Sequence, residues 1–401
     1  MSRERVVSKL PEELRVSNDP TRTARIVGLV GDSLWQSPQR LLPSAPVRTS
    51  RTPNAPRMIG SGRALPGDPI PSSVIESLFG RPPGWIERKL GIRTRHWARD
   101  LKTGRPRPGC RNSELAAAAA RSALTTADVA PAEIDLLIVA TASPDYALPA
   151  VAPLVQELLG ISECVALDIR SACTGFLQAL QVATNAIECG TARTACVIGS
   201  ETPSLLLNLE AEADYTDKID FVNAALFGDG AGAMIVRASR GAHDATPRIG
   251  AVHLGSVGLG RPPGITIEGS GSADPATAES LRAGHHRVRQ DYQQVLATGP
   301  ELYQVAMRAV LNSEDARPDD IALGIPHQAN GTIAQMAKQV LGEVGERFFV
   351  NVDAVGNCGA ASVPIAFDEA VRLTPPRPGD LVVFVAAEAS KWLYGGASIR
   401  W

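Results

Sequence analysis

Apolar positions first organise into a clear pattern between Glu114 and Thr141. An alanine-rich helical face from Leu115 to Leu124 leads through Pro131 into the continuous apolar run Ile134 to Ala140, which predicts a helix followed by a buried strand. The pattern returns in the second half of the chain. Glu114/Glu301, Leu115/Leu302, Arg121/Arg308, Leu124/Leu311, Asp128/Asp315, Pro131/Pro318 and Ile134/Ile321 match at one constant offset without a gap, which marks an internal duplication. A second pair of segments agrees with it. The helix predicted after Cys173 leads to an apolar strand at Thr194 to Gly199, and the helix predicted after Ser362 leads through Pro378 and Gly379 to another at Leu381 to Ala386. Each half therefore reads helix, strand, helix, strand. Strands that are apolar throughout, alternating with helices, predict parallel βαβ units and sheets covered on both faces. The expected class is layered α/β, with halves at 57–240 and 248–401 joined by the Pro/Gly/Ser-containing stretch Ala238 to Gly250.

Residues 1–56 break this regularity. Pro, Ser and Arg are frequent around Ser37 to Arg57, and periodicity is poor outside Ala24 to Leu34, so a loosely structured extension is expected. Charged Arg3, Glu4, Arg5, Lys9, Glu12 and Glu13 stand where a secretory signal would need apolar residues, and a cytoplasmic location is expected. With 40 Lys+Arg against 42 Asp+Glu, the chain lacks the basic excess of a phosphate-tracking surface, so nucleic acid is not an expected partner. The apolar runs are too short for a membrane span. Six cysteines, at 110, 164, 173, 189, 196 and 358, show no C-x-x-C spacing, and most are expected to be small buried hydrophobes.

One cysteine stands apart from the rest. In Asp168-Ile-Arg-Ser-Ala-Cys173-Thr-Gly-Phe-Leu it falls between an apolar strand and the start of an amphipathic helix, where backbone N–H groups and the helix dipole favour a thiolate. A depressed thiol pKa is expected there. Two other segments carry polar groups beside small residues: Pro326-His327-Gln328-Ala329-Asn330 at the end of the second-copy strand, and Gly356-Asn357-Cys358-Gly359-Ala360-Ala361-Ser362. Gly228-Asp-Gly-Ala-Gly232 lacks the strand-linked GxGxxG order and the P-loop Lys-Ser/Thr. It implies no nucleotide cofactor, and its glycines are expected to serve a tight turn and close packing beside the site.

Together with Met58-Ile-Gly-Ser-Gly, Trp85-Ile-Glu-Arg-Lys-Leu-Gly-Ile-Arg and Phe227-Gly-Asp-Gly-Ala-Gly, these segments follow one order over residues 57–401. In that order the chain resembles the β-ketoacyl-acyl-carrier-protein synthase III family of the thiolase superfamily. The resemblance implies a thiolase fold, five-layered αβαβα from two duplicated halves, a homodimer, no cofactor or metal, and a triad of Cys173, His327 and Asn357. It implies that Cys173 takes the acyl group of an acyl-CoA or acyl-carrier-protein thioester. His327 and Asn357 then stabilise the enolate of a malonyl-type extender as carbon dioxide leaves, and the enolate attacks the acyl carbon. The backbone N–H groups of Cys173 and Ser390 would form the oxyanion hole. Trp85 and Lys89 would contact the CoA nucleotide, Asn330 belongs to the His-Gln-Ala-Asn motif, and Leu148 would reach across the dimer to the partner's acyl pocket.

The chain departs from the family at its entrance. Thr332 and Phe221 stand near expected arginines, and Glu388-Ala389-Ser390-Lys391-Trp392 replaces a glycine-rich loop, with Glu388 in place of a bulky apolar residue near the entrance. An intact triad behind an altered entrance points to a specialised relative in secondary metabolism, acting on a pathway-specific carrier protein. Two alternatives remain: transfer of the Cys-bound acyl group to a hydroxyl or amine with His327 as base, and a noncatalytic partner subunit.

Overall fold

The computed structural model describes residues 54–209, 217–269 and 271–401. The expected N-terminal extension therefore lies, up to residue 53, outside the described residues. Among the described residues the main sheet contains ten strands, numbered in chain order: β1 (Pro56–Ala64), β2 (Leu136–Ala140), β3 (Val165–Ile169), β4 (Thr194–Glu201), β5 (Gly230–Ala238), β6 (Arg248–Ile249), β7 (His253–Ser256), β8 (Ile321–Pro326), β9 (Leu381–Glu388) and β10 (Leu393–Arg400). Their order is β8-β9-β10-β6-β1-β5-β4-β2-β3, with β7 also paired to β10. β2 runs parallel to β3 and β4, and β8 runs parallel to β9, as the continuous apolar runs require. β5 and β10 close each half in antiparallel fashion. The stretch expected to be a simple joint instead contains β6, which pairs with Arg57 on one side and with Ile399 and Arg400 on the other, stitching the two halves edge to edge.

Packing on the two faces of these strands produces the layers. The helices Asn112–Ala127 and Val151–Leu159 cover one face of the first half, with Leu115, Ala120 and Val155 against Leu137, Val139 and Ile198. The Tyr292–Ser313 helix covers the outer face of the second half, with Leu302, Ala306 and Val310 against Val383 and Val385. Between the halves lie the helices Gly175–Glu188 and Ser362–Leu373, whose Phe176, Leu180 and Phe367 meet Ile138 and Val197 on one side and Val382 and Phe384 on the other. Val382 and Phe384 face inward while Val383 and Val385 face outward, the period of two that a strand covered on both faces must show. Phe367 and Phe384 meet at 5.2 Å between ring centroids, and burial of each such ring contributes about 1.5–3 kcal/mol. The result is the five-layered αβαβα thiolase fold.

The duplication extends to backbone conformation. Asp128 and Asp315 both stand just past their helices at positive φ, 53° and 49°, and a 3-10 turn beginning at Pro131 or Pro318 follows each. The central helices begin at Gly175 and Ser362, and β4 and β9 cover Thr194–Glu201 and Leu381–Glu388, all at the same constant offset as the sequence matches. Both strands outrun the expected ends at Gly199 and Ala386. The additions carry a glutamate to the end of each strand.

Candidate active site

The strand-to-helix turn after β3 presents Cys173, just before the Gly175–Glu188 helix begins. His327 follows the last residue of β8. Its N–H donates to the Val385 carbonyl at 2.7 Å, and its carbonyl accepts the Tyr303 hydroxyl at 2.7 Å, so neighbouring elements fix its backbone from both sides. Asn357 is held by three bonds. Its N–H donates to Leu226 at 2.9 Å, its carbonyl accepts from the Gly228 N–H at 3.0 Å, and its Oδ1 accepts from the Gly359 N–H at 3.0 Å, leaving Nδ2 as the donor end of the side chain. Close approach of Gly228 makes this possible, since a Cβ there would lie 2.1 Å from the Val355 carbonyl oxygen. A Cβ at Gly232 would likewise meet Pro364 and Ile365, so the 228–232 glycines serve packing beside the site, as expected.

Cys173, His327 and Asn357, drawn from both halves of the chain, line a single cavity. Asn330 and Glu388 share its wall with mainly apolar neighbours such as Leu226, Phe227, Val295, Ile333 and Met336. Asn330 is buried, and its Oδ1 accepts from the Thr332 N–H at 2.9 Å and the Thr332 hydroxyl at 2.6 Å. The cavity is dry enough to move proton affinities. Burial brings His327, 1% exposed, down to about 4, with the nearby Glu388 carboxylate opposing that shift. The imidazole is therefore neutral near pH 7.

Cys173 departs from expectation. Its thiol is pushed well above the ordinary cysteine range by burial first, and then by the negative charges of Glu388 and Glu201. Burial is the main physical reason, and one helix-terminal donor is also engaged elsewhere. The Thr174 N–H donates to Glu388 Oε2 at 3.0 Å, so the carboxylate occupies a donor at the helix start that the sequence assigned to a thiolate.

Glu388 itself lies deeper than the entrance position predicted for it. It is 2% exposed, with Oε2 accepting from the Ser171 hydroxyl at 2.8 Å and the Thr174 hydroxyl at 2.6 Å as well as the Thr174 N–H, and with Oε1 accepting from the Ser390 hydroxyl. Behind it, Gln178 Nε2 donates to the Ser171 and Thr174 oxygens at 2.8 and 2.9 Å, which orients both hydroxyl protons toward the carboxylate. Its repeat-related counterpart Glu201 is buried too. That side chain accepts from the Ala142 N–H and the Ser143 hydroxyl, and burial raises its pKa to about 7. Glu201 does not line the cavity, whereas Glu388 does.

The remaining predicted residues lie elsewhere. Ser390, Trp85 and Lys89 do not line the cavity. Trp85 is part-buried, its ring 5.1 Å from that of Phe221, and Lys89 is exposed on the same short helix, Trp85–Leu90. Phe221 is a buried residue of the Asp217–Leu226 helix. Leu148 is 86% exposed. Of the cysteines other than Cys173, Cys196 and Cys358 are buried core residues, Cys110 and Cys164 pack part-buried against the core, and Cys189 is exposed. Sequence reading missed Tyr303, Ser171, Thr174 and Gln178. The polar spacing of 171, 174 and 178, one turn apart along an otherwise apolar helix start, was the available signal.

Among the described residues no helix is long and apolar enough to cross a membrane. Residues 167–258 match the family model described as 3-oxoacyl-[acyl-carrier-protein] synthase III, and residues 311–401 match that of its C-terminal region. Beta-ketoacyl-[acyl-carrier-protein] synthase III of Rhodospirillum centenum is 37% identical over 344 residues, 86% of this chain and 98% of that protein. Among solved structures, AbyA1, a tetronic acid condensing enzyme, superposes with a TM-score of 0.77 at 30% identity, over 86% of this chain and all of that one. The priming β-ketosynthase of the R1128 polyketide pathway gives a TM-score of 0.71 at 25% identity, over 86% of this chain and 96% of that one.

Proposed function

The chain belongs to the β-ketoacyl-acyl-carrier-protein synthase III family, and from that premise we propose that it joins an acyl group carried on Cys173 to a malonyl-type thioester with loss of carbon dioxide. The observation that carries this reading is the meeting of Cys173, His327 and Asn357 on one cavity wall. Because the resting sulfur is a thiol, attack on the donor thioester requires its proton to leave as the C–S bond forms, and the neutral His327 is the nearby acceptor. CoA or a carrier-protein thiol departs. In the second half, His327 and the Asn357 Nδ2 donate to the extender's thioester oxygen, stabilising the enolate as carbon dioxide leaves. The enolate carbon then attacks the acyl carbon, the C–S bond breaks, and the departing Cys173 sulfur takes up a proton to return to the resting thiol.

Donors are acyl-CoA or acyl-carrier-protein thioesters, reaching Cys173 past the Trp85–Leu90 helix, with Trp85 and Lys89 available to the nucleotide or phosphopantetheine arm. The altered 388–392 loop and Thr332 support a pathway-specific carrier protein in secondary metabolism. A cytoplasmic homodimer is part of the same reading. Leu148 is exposed on the single chain, and among the described residues β3 is an edge strand of the main sheet whose Val165 is 58% exposed, both suited to a second copy.

Intact-protein mass spectrometry tests the proposal. Incubation with a panel of acyl thioesters should add one acyl mass, absent in Cys173→Ala, and malonyl thioester should then discharge it with release of carbon dioxide. Acylation that persists in Cys173→Ala and maps to another residue would overturn the assignment.

A further inference from the structure

Glu388 was given no part in the condensation just described, and three features set it apart. It is a carboxylate in a mainly apolar wall, it is held by donors alone, and it stands beside a histidine that condensation employs as a neutral donor. The repeat-related Glu201 is bonded in a similar way but stands back from the cavity, whereas Glu388 lines it. In Glu388 the contacts are unequal: Oε2 receives three donors, while Oε1 receives the Ser390 hydroxyl. A carboxylate oxygen accepts about two hydrogen bonds, so the capacity left over is on Oε1. The Gln178–Ser171–Thr174 chain holds the group in place, since Gln178 fixes both hydroxyls as donors to it. Burying such a group without a matching ligand is costly, and the extender's own carboxylate is no match because like charges repel.

We propose that Glu388 serves a hydroxyl group of the second substrate, and that this site also transfers the Cys173-bound acyl group to that hydroxyl, forming an ester. The inference rests on the proposed acyl loading of Cys173. In the step, the acceptor oxygen attacks the thioester carbon and the C–O bond forms while the hydroxyl proton passes to the His327 imidazole. The C–S bond then breaks, and the departing sulfur recovers that proton as a thiol. No electrons are exchanged with any other reagent. Glu388 accepts a hydrogen bond on Oε1 from the acceptor, and its charge offsets the imidazolium that burial otherwise opposes. The fall of His327 to about 4, opposed by Glu388, is consistent with that division of labour. A hydroxyl fits better than an ammonium, because a neutral group enters this apolar cavity at a smaller desolvation cost.

The test loads the full-length enzyme with an acyl group and offers malonyl pantetheine, 2- or 3-hydroxyacyl pantetheine, and the deoxy counterparts of the last two, with products identified by mass. Wild-type enzyme should discharge onto the hydroxyacyl thioesters as esters and leave the deoxy compounds untouched. Glu388→Gln should lower the ratio of ester to condensation product by roughly tenfold to a hundredfold, the scale of one charge-assisted hydrogen bond. If that variant fails to fold, Glu388→Asp, which keeps the charge but withdraws it from the cavity, should lower the same ratio. An unchanged ratio in either folded variant overturns the proposal. So does wild-type enzyme that is acylated and releases carbon dioxide from malonyl pantetheine yet forms no ester. Failure to acylate Cys173 at all would instead remove the condensation reading beneath it.

Discussion

The Glu388 carboxylate accepts the backbone N–H of Thr174 at 3.0 Å, immediately beyond Cys173 and in the opposite half of the chain. With the bonds from the Ser171 and Thr174 hydroxyls, it couples the end of β9 in the second half to the Cys173 turn in the first. It places a fixed negative charge beside a sulfur that must become negative to react.

The first prediction concerns that charge. Burial, Glu388 and Glu201 all disfavour the thiolate, so iodoacetamide should alkylate Cys173 with a midpoint above the ordinary cysteine value of 9.0. Glu388→Gln removes one opposing charge, so the midpoint should move down and alkylation at about pH 8 should quicken. A midpoint below 9.0 in wild-type enzyme, followed by mass spectrometry across pH, would contradict the geometry.

Asn357 separates loading from decarboxylation. Asn357→Ala should still be acylated at Cys173 but should release carbon dioxide from malonyl thioester about 100-fold more slowly or worse, the scale of losing one oxyanion donor. Single-turnover measurement of labelled carbon dioxide checks this. His327→Ala should slow both steps, because it loses the proton acceptor in one and a donor in the other.

Packing behind Asn357 should tolerate no added carbon at residue 228. A Cβ there would lie 2.1 Å from the Val355 carbonyl oxygen, a backbone atom that cannot rotate away. Gly228→Ala should destabilise the fold by roughly 1–3 kcal/mol and slow condensation by displacing Asn357. Urea unfolding monitored by circular dichroism, together with the decarboxylation assay, measures both effects.

In solution the protein should run at about twice its 42.3 kDa chain mass. Leu148→Asp should weaken that association or lower activity on long acyl donors, because an exposed apolar side chain of this kind gains by burial against a second copy. Light scattering that shows a fully active monomer at micromolar concentration would refute the dimer.

Much of this protein was legible in its sequence, because the relevant signals are local or repeated. Apolar runs at Ile134 to Ala140 and Leu381 to Ala386 marked strands, the constant offset between matching segments marked the duplication, and short motifs around Cys173, His327 and Asn357 marked the residues that line one cavity. The state of Cys173 was not legible. A cysteine before a helix reads as an activated thiolate only if the sulfur is unburied and the helix-terminal N–H groups are left for it, and Glu388 reads as a residue near the entrance. Tertiary structure reverses both readings at once by bringing Glu388 of the second half against Ser171 and Thr174 of the first. Composition and periodicity determine which segments become strands and helices, because burial of a face depends on near neighbours. Proton affinity depends on which charges and donors share a desolvated space, and only the packed halves decide that.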